Sequence, residues 1–171
     1  LDGDEASVLA LVDGSNYMIL DSSQDHKRAY DNDKGPNTGG MGAYSPTPVI
    51  PEDMWPVIRR QVFESILAEF EKRGIVYKGV LYAGLIFDSS GVNVLEFNCR
   101  FGDPETQVVL PGIAGDLLPS LEACVDGSLS RNLLEWHKNE RVCVVLASGG
   151  YPGSYEKGKV IHGLDRIAGM D

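Results

Sequence analysis

Apolar residues recur along the chain in two rhythms. Strand-like runs over 5–12 (EASVLALV) and 16–20 (NYMIL) flank Asp13-Gly14-Ser15, a strong turn signal, and predict a β-hairpin. Glu5 and Ser7 share one face of the first strand, and Asp13 joins them if the strand persists that far. A second hairpin is predicted from runs over 78–88 (KGVLYAGLIFD) and 92–97, joined by Ser89-Ser90-Gly91. The 78–88 run is apolar on both faces, so it belongs in the middle of its sheet. Gly79 and Gly84 leave room beside it for close packing.

The helical rhythm is clearest over 53–72. Trp55, Ile58, Val62, Ile66 and Phe70 recur at spacings of three and four, widened by Phe63 and Leu67. Asp53 is the expected cap, Pro56 falls in the first turn and Gly74 ends the helix. This stripe is core, not a cofactor box. Between the first hairpin and this helix, 22–28 reads as a polar loop and 31–44 as a glycine-rich one, followed by extended Ser45-Pro46-Thr47-Pro48. Downstream, Asp103 and Pro104 read as cap and first residue of a helix. A further helix is expected from Asp116 to Gly127, and a short one over 133–136. A charged linker over 136–140 then leads to a buried-type strand over 141–148, read as the first strand of a new unit, with turns at 149–153 and 158–163.

Composition narrows the classes. A chain of 171 residues with 43% apolar residues can bury a real core. A net charge of −10 argues against nucleic acid or an anionic membrane surface as the main partner, though not against nucleotides, which need only a few local cations. Cys99, Cys124 and Cys143 form no CxxC pair and fit reduced thiols, hence a cytoplasmic setting. No apolar run approaches the ~20 residues of a membrane span, and no secretory signal is present. The first residue is Leu1 rather than Met, so a piece of a longer polypeptide is expected.

Candidate chemistry concentrates in VNVLEFNCRFGDPETQ, 92–107. Strand alternation puts Glu96 and Asn98 on one face and Phe97 on the other. A carboxylate and an amide carbonyl one strand step apart form a compact hard-oxygen set that suits Mg²⁺. Taken alone, such a pair describes a solvated edge as well as a metal site. Arg100, Asp103 and Glu105 within the same ten residues, interleaved with Phe97, Cys99 and Phe101, favour a site. His26, Lys27 and Arg28 are either a local anion site or an ordinary solvated loop. Gly35, Gly39, Gly40 and Gly42 either cradle an anion with backbone N–H groups or merely turn the chain.

Five blocks resemble signatures of the glycinamide ribonucleotide synthetase family of ATP-grasp ligases. They are SQDHKR (23–28), GPNTGGMGAYSP (35–46), VLEFNCR (94–100), RFGDPETQ (100–107) and GGYPG (149–153). The resemblance implies an α+β ATP-grasp fold, its later half with an antiparallel sheet and flanking helices over 1–137, and the start of a small C-terminal domain over 138–171. It implies ATP as co-substrate, Mg²⁺ or Mn²⁺, glycine and 5-phosphoribosylamine as partners with the remainder of the polypeptide, and a glycyl phosphate intermediate in purine biosynthesis. By the same resemblance Glu96 and Asn98 hold the metal, and Arg100 steadies the acyl phosphate. Asp103 and Glu105 lie near substrate amino groups, and Glu5 and Asp13 line the nucleotide side. His26, Lys27 and Arg28, with Gly39, Gly40 and Gly42, meet ribose phosphate or ATP phosphate. Many ATP-grasp enzymes carry another acidic ligand on the preceding strand. The 80–86 stretch has none, so one protein-anchored metal is expected. Another ATP-grasp carboxylate–amine ligase, or a non-catalytic module, is the alternative.

Overall fold

The computed structural model describes residues 2–130 and 134–170. Its centre is a four-stranded antiparallel sheet in the order β2-β1-β7-β8, with β1 Asp4–Asp13, β2 Tyr17–Ile19, β7 Lys78–Asp88 and β8 Gly91–Asn98. The doubly apolar run is internal as expected: Leu9 pairs with Tyr82 on one side of β7, and Tyr82 with Asn98 on the other. Both hairpins form at the turns read from the sequence.

One face of this sheet carries Ala6, Val8, Ala10, Val12, Leu81, Ala83 and Leu85, packed against Ile58, Val62 and Phe63 of a helical segment over 55–72. Burying side chains of this size stabilises by roughly 1.5–3 kcal/mol each. The segment is α1 Trp55–Ile58 and α2 Ser65–Lys72, with a wider π-helical stretch, Arg59–Glu64, between them. Asp53 does not cap it. It lies in a 3-10 turn, Glu52–Met54, preceded by Pro51, where no side chain makes a capping bond.

The opposite face changes character along its length. Leu9, Leu11 and Tyr82 pack with Val108, Val109, Ala123 and Cys124 from α3 Thr106–Val109 and α4 Leu118–Asp126. Toward the other end the same face presents Ser7 and Glu5 on β1, Gly84 on β7, and Asn98 and Glu96 on β8. A core therefore grades into a polar site on a single sheet surface. Asp116 accepts the Leu118 N–H at 2.9 Å, and Gly127, at φ 75°, closes α4 in the left-handed region.

Several expectations change. The 22–44 stretch is not two loops: β3 Gln24–Asp25 pairs with β6 Gly42–Ser45, and β4 Arg28–Tyr30 pairs with β5 Lys34–Asn37. The second hairpin turns through Asn32 and Asp33, both at positive φ. The helix expected at Asp103 begins later, at Thr106, because Asp103 accepts the Gln107 side-chain amide instead of capping a backbone N–H. Of the helix expected over 133–136, Leu133 lies outside the described residues. Glu135–Trp136 is instead a short strand, β10, paired with β9 Ile113–Ala114.

Within 141–148 the strand is shorter, β11 Arg141–Val144, and it does not stand apart. It pairs with β6 in the order β11-β6-β3, with Val142 and Val144 exposed and Arg141 buried. The β11–β6 pairing therefore joins residues on the two sides of 137/138. A short helix, α5 Leu164–Ile167, ends the described chain.

Candidate active site

The polar end of the sheet is built around a bulge. In the β7–β8 ladder Gly84 opposes Glu96 and Leu85 opposes Val94, so Leu95 is the extra residue. Val94 and Phe97 consequently share the helix-covered face, while Glu96 and Asn98 turn together to the other. The Asn98 amide nitrogen donates to Glu96 Oε1 at 3.0 Å. Gly84 makes room for this pair, since a Cβ there would lie 3.2 Å from Glu96 Cγ. The sequence expectation that the two oxygen-bearing side chains leave one strand in one direction agrees with this geometry.

Beside them lies a small cavity of about 100 Å³, lined among others by Lys27, Gly39, Arg100 and Asp103. Asp25 and Lys27 enter from β3 and the step after it. Lys27 Nζ lies 3.3 Å from Glu5 Oε2 and 3.7 Å from Asp25 Oδ2. Burial disfavours the Lys27 ammonium, but Asp25, Glu5 and Glu96 outweigh it and raise its pKa. Burial also raises the pKa of Asp25, opposed by Lys27 and reinforced by Glu105 and Glu5. The Asp25 side chain is only 6% exposed. No motif argument singled it out, although it stands inside the SQDHKR block.

Glu105 lines the same cavity, but from a largely buried position. It is 3% exposed, and its Oε1 accepts from Tyr82 Oη at 2.8 Å and Ser7 Oγ at 3.1 Å. Gly102 is required by this arrangement, because a Cβ there would lie 2.4 Å from Glu105 Oε2. The carboxylate thus fixes the turn that bears Arg100 and Asp103 against the sheet. Burial, with Glu105 beside it, pushes the Tyr82 hydroxyl well above the ordinary phenol range and keeps it a donor. Ser7 and Tyr82 are site residues that no sequence motif marked.

Asp13 does not line this cavity. It sits at the far end of β1, where Oδ1 accepts the Asn16 and Ser15 N–H groups at 2.7 and 3.0 Å and Oδ2 accepts the Leu129 N–H at 2.9 Å. Burial works against its charge, but these donors prevail and lower its pKa. A larger hollow of about 710 Å³ beside it gathers Glu64 and Glu71 with Asp13, an acidic lining that disfavours phosphate. Glu5, by contrast, lines a neighbouring cavity of about 200 Å³ with Lys27 and Glu96, and another of about 410 Å³ with His26, Lys27 and Arg28. His26 is exposed and stacks on Tyr44 at 5.8 Å, and Arg28 Nη1 donates to the Gly35 carbonyl at 2.8 Å.

The glycine loop is not an open anion cradle. The Gly39 N–H donates to Tyr151 Oη, the Gly40 N–H to Thr38 Oγ1 and the Met41 N–H to the His26 carbonyl. Its glycines serve close packing instead. A Cβ on Gly40, at φ 121°, would lie 2.3 Å from Pro104 Cδ, and one on Gly42 would lie 2.6 Å from the Cys143 carbonyl oxygen.

Among the described residues no group of three or more His, Cys, Asp or Glu side chains is arranged to hold a metal. The Glu96–Asn98 oxygens fit a hard divalent cation that completes its shell with water and substrate.

Residues 1–106 match the family model described as phosphoribosylglycinamide synthetase, ATP-grasp (A) domain. A phosphoribosylamine–glycine ligase from Synechocystis sp. is 50% identical, covering 100% of this chain and 41% of that protein. One from Vibrio cholerae is 48% identical, with coverages of 96% and 38%. The crystal structure of phosphoribosylamine–glycine ligase from Thermotoga maritima superposes with a TM-score of 0.82 at 39% identity, over 92% of this chain and 39% of that one. Biotin carboxylase from Campylobacter jejuni, crystallised as a β-γ-ATP complex, shares the fold alone at 14% identity and a TM-score of 0.57, over 83% and 29% of the two chains. The chain spans about two-fifths of the length of the curated relatives it matches.

Proposed function

Because this chain belongs to the phosphoribosylglycinamide synthetase family of ATP-grasp proteins, we propose that it is the metal-bearing part of an enzyme joining glycine to 5-phosphoribosylamine with ATP. The observation that carries the proposal is the pairing of Glu96 with Asn98 on one face of β8, beside a cavity that also gathers Lys27, Arg100 and Asp103. In this reading the glycine carboxylate attacks the γ-phosphate of ATP. The amine of 5-phosphoribosylamine then displaces phosphate from the glycyl phosphate, giving the amide. Little covalent help is needed; position and charge do the catalysis.

Mg²⁺ or Mn²⁺ bound by Glu96 and Asn98 would neutralise charge on the transferring phosphoryl. Arg100 supplies a fixed cation beside the acyl phosphate, and Lys27, kept charged by Asp25, Glu5 and Glu96, a second. Asp103, exposed at the cavity, attracts a substrate ammonium, while Glu105 holds the turn beneath it. Glu5, His26 and Arg28 line the adjoining cavity, on the side where a ribose phosphate or nucleotide phosphate enters. Gly39 contributes wall rather than donor, and Gly40 and Gly42 set the loop's distance. We also propose that 1–137 is ATP-grasp region and 138–171 the beginning of a further unit. Exposed Val142, Val144 and Leu146 support that reading as surface for further chain to cover.

Glu96→Ala in the full-length protein tests the assignment. Metal-dependent ADP formation with glycine and 5-phosphoribosylamine should fall by roughly 10²-fold or more. Unchanged activity and unchanged metal–nucleotide affinity would mark the polar strand end as structural. Turnover with a different amine, and none with phosphoribosylamine, would reassign the acceptor. The isolated 171 residues should produce no ADP.

A further inference from the structure

The tail of the described chain returns to the reaction cavity. After β11, the Val145 N–H donates to the Met41 carbonyl at 2.9 Å, and 112 residues separate Gly39 from Tyr151, whose hydroxyl oxygen accepts the Gly39 N–H at 3.1 Å. Tyr151 is held for this contact. Its own N–H donates to the Ser148 carbonyl at 3.1 Å, Gly150 turns at φ 98°, and Tyr155 packs edge-on at a centroid distance of 5.5 Å. Gly39 is the one residue of its loop that lines the 100 Å³ cavity with Lys27, Asn98, Arg100 and Asp103. The Gly40 N–H is tied to Thr38 Oγ1 within the loop, and the Thr38 and Met41 N–H groups to the Lys27 and His26 carbonyls between β3 and β4. Gly39 and Met41 are both fastened from the late segment, Gly39 through its N–H to Tyr151 and Met41 through its carbonyl to Val145, and of the two only Gly39 lines the cavity.

We propose that Tyr151 is a positioning residue: its hydroxyl holds the 38–41 loop as a wall of the reaction cavity and thereby keeps water from the acyl phosphate. This rests on the proposed ligase reading and deepens it. In the productive step the amine nitrogen bonds to the acyl carbon, the carbon–oxygen bond to phosphate breaks, and phosphate and a proton leave. In the competing step a water oxygen bonds to that carbon instead. Glycine and phosphate are released, and ATP is spent without amide. Excluding water is what prevents such hydrolysis of a reactive intermediate. Losing the one anchoring hydrogen bond at the residue that faces the cavity lets this wall open more often, by about threefold or more.

The test is Tyr151→Phe in the full-length protein, with ADP and amide measured in the same reaction and Gly39 amide exchange followed in parallel. The ring and its packing on Tyr155 remain, so the fold is kept. The share of ADP formed without amide should rise by about threefold or more, and Gly39 should exchange faster. Tyr155→Phe, which retains the ring contact, should couple like the wild type. Equal coupling and equal Gly39 exchange in Tyr151→Phe would overturn the proposal, as would equal uncoupling in Tyr155→Phe. A wild-type protein that makes neither ADP nor amide would instead refute the ligase reading, while Gly39 exchange would still report whether Tyr151 holds the loop.

Discussion

A carboxylate's partners, not its place in a motif, decide what it does here. Asp13 and Glu96 both follow apolar residues on strands of the same sheet, yet Asp13 is saturated by three backbone donors and Glu96 lies exposed beside a cavity. Asp13→Ala should therefore cost about 1–3 kcal/mol, the penalty for stranding donors that fold around it. A urea midpoint at pH 7 measures this. Because the native pKa is lowered, the contribution is fully present above the ordinary carboxyl value of 3.8 and is lost as pH falls through the native value. The stability gap between wild type and Asp13→Ala should accordingly close on acidification. A gap that is the same at neutral and strongly acidic pH would remove the charge from the account.

Elements were legible where their own sequence carried the signal. Asp13-Gly14-Ser15 and Ser89-Ser90-Gly91 announce tight turns, and the Trp55-to-Phe70 stripe announces a helix that covers a sheet. The β4–β5 hairpin was hidden because Lys34, Gly35, Pro36 and Asn37 offer no apolar alternation; only Asn32 and Asp33, residues that tolerate positive φ, marked its turn. Glu135–Trp136 pairs because Ile113–Ala114 is there to receive it, a tertiary choice with no local trace. The bulge at Leu95 was equally silent, although it sets which side chains accompany Glu96. At this scale the glycine loop is open to test. Gly40→Ala must fit a Cβ 2.3 Å from Pro104 at φ 121°, so strain of about 1–3 kcal/mol or a displaced loop should result. Thermal unfolding reports the first outcome and loss of the proposed ADP-forming activity in the full-length protein the second; a variant like wild type in both would show that the packing is slack.

Across the whole molecule, one ion pair fastens the late strand to the body. Arg141, 9% exposed, reaches Asp21 at 2.6 Å and Ser45 Oγ at 3.2 Å, while its Nε and Nη1 are buried with no hydrogen-bond partner among the described residues. Asp21→Ala leaves this cation uncompensated and should cost about 3–5 kcal/mol. Arg141→Met should cost less, since Asp21 retains 27% side-chain exposure and can hydrate. The double variant should be more stable than Asp21→Ala alone, a non-additivity that chemical denaturation of the four proteins can measure. Strictly additive losses would mean that the pair contributes nothing as a pair.

The outermost position of β8 carries a practical cost. Its free side offers a row of main-chain donors and acceptors that no strand among the described residues takes up, flanked by Val94, Leu95 and Phe97 at about two-fifths exposure. Concentrated solutions of this polypeptide should therefore turn cloudy by stacking margin against margin. Static light scattering should climb steeply with protein concentration, and covering that margin should keep the preparation clear.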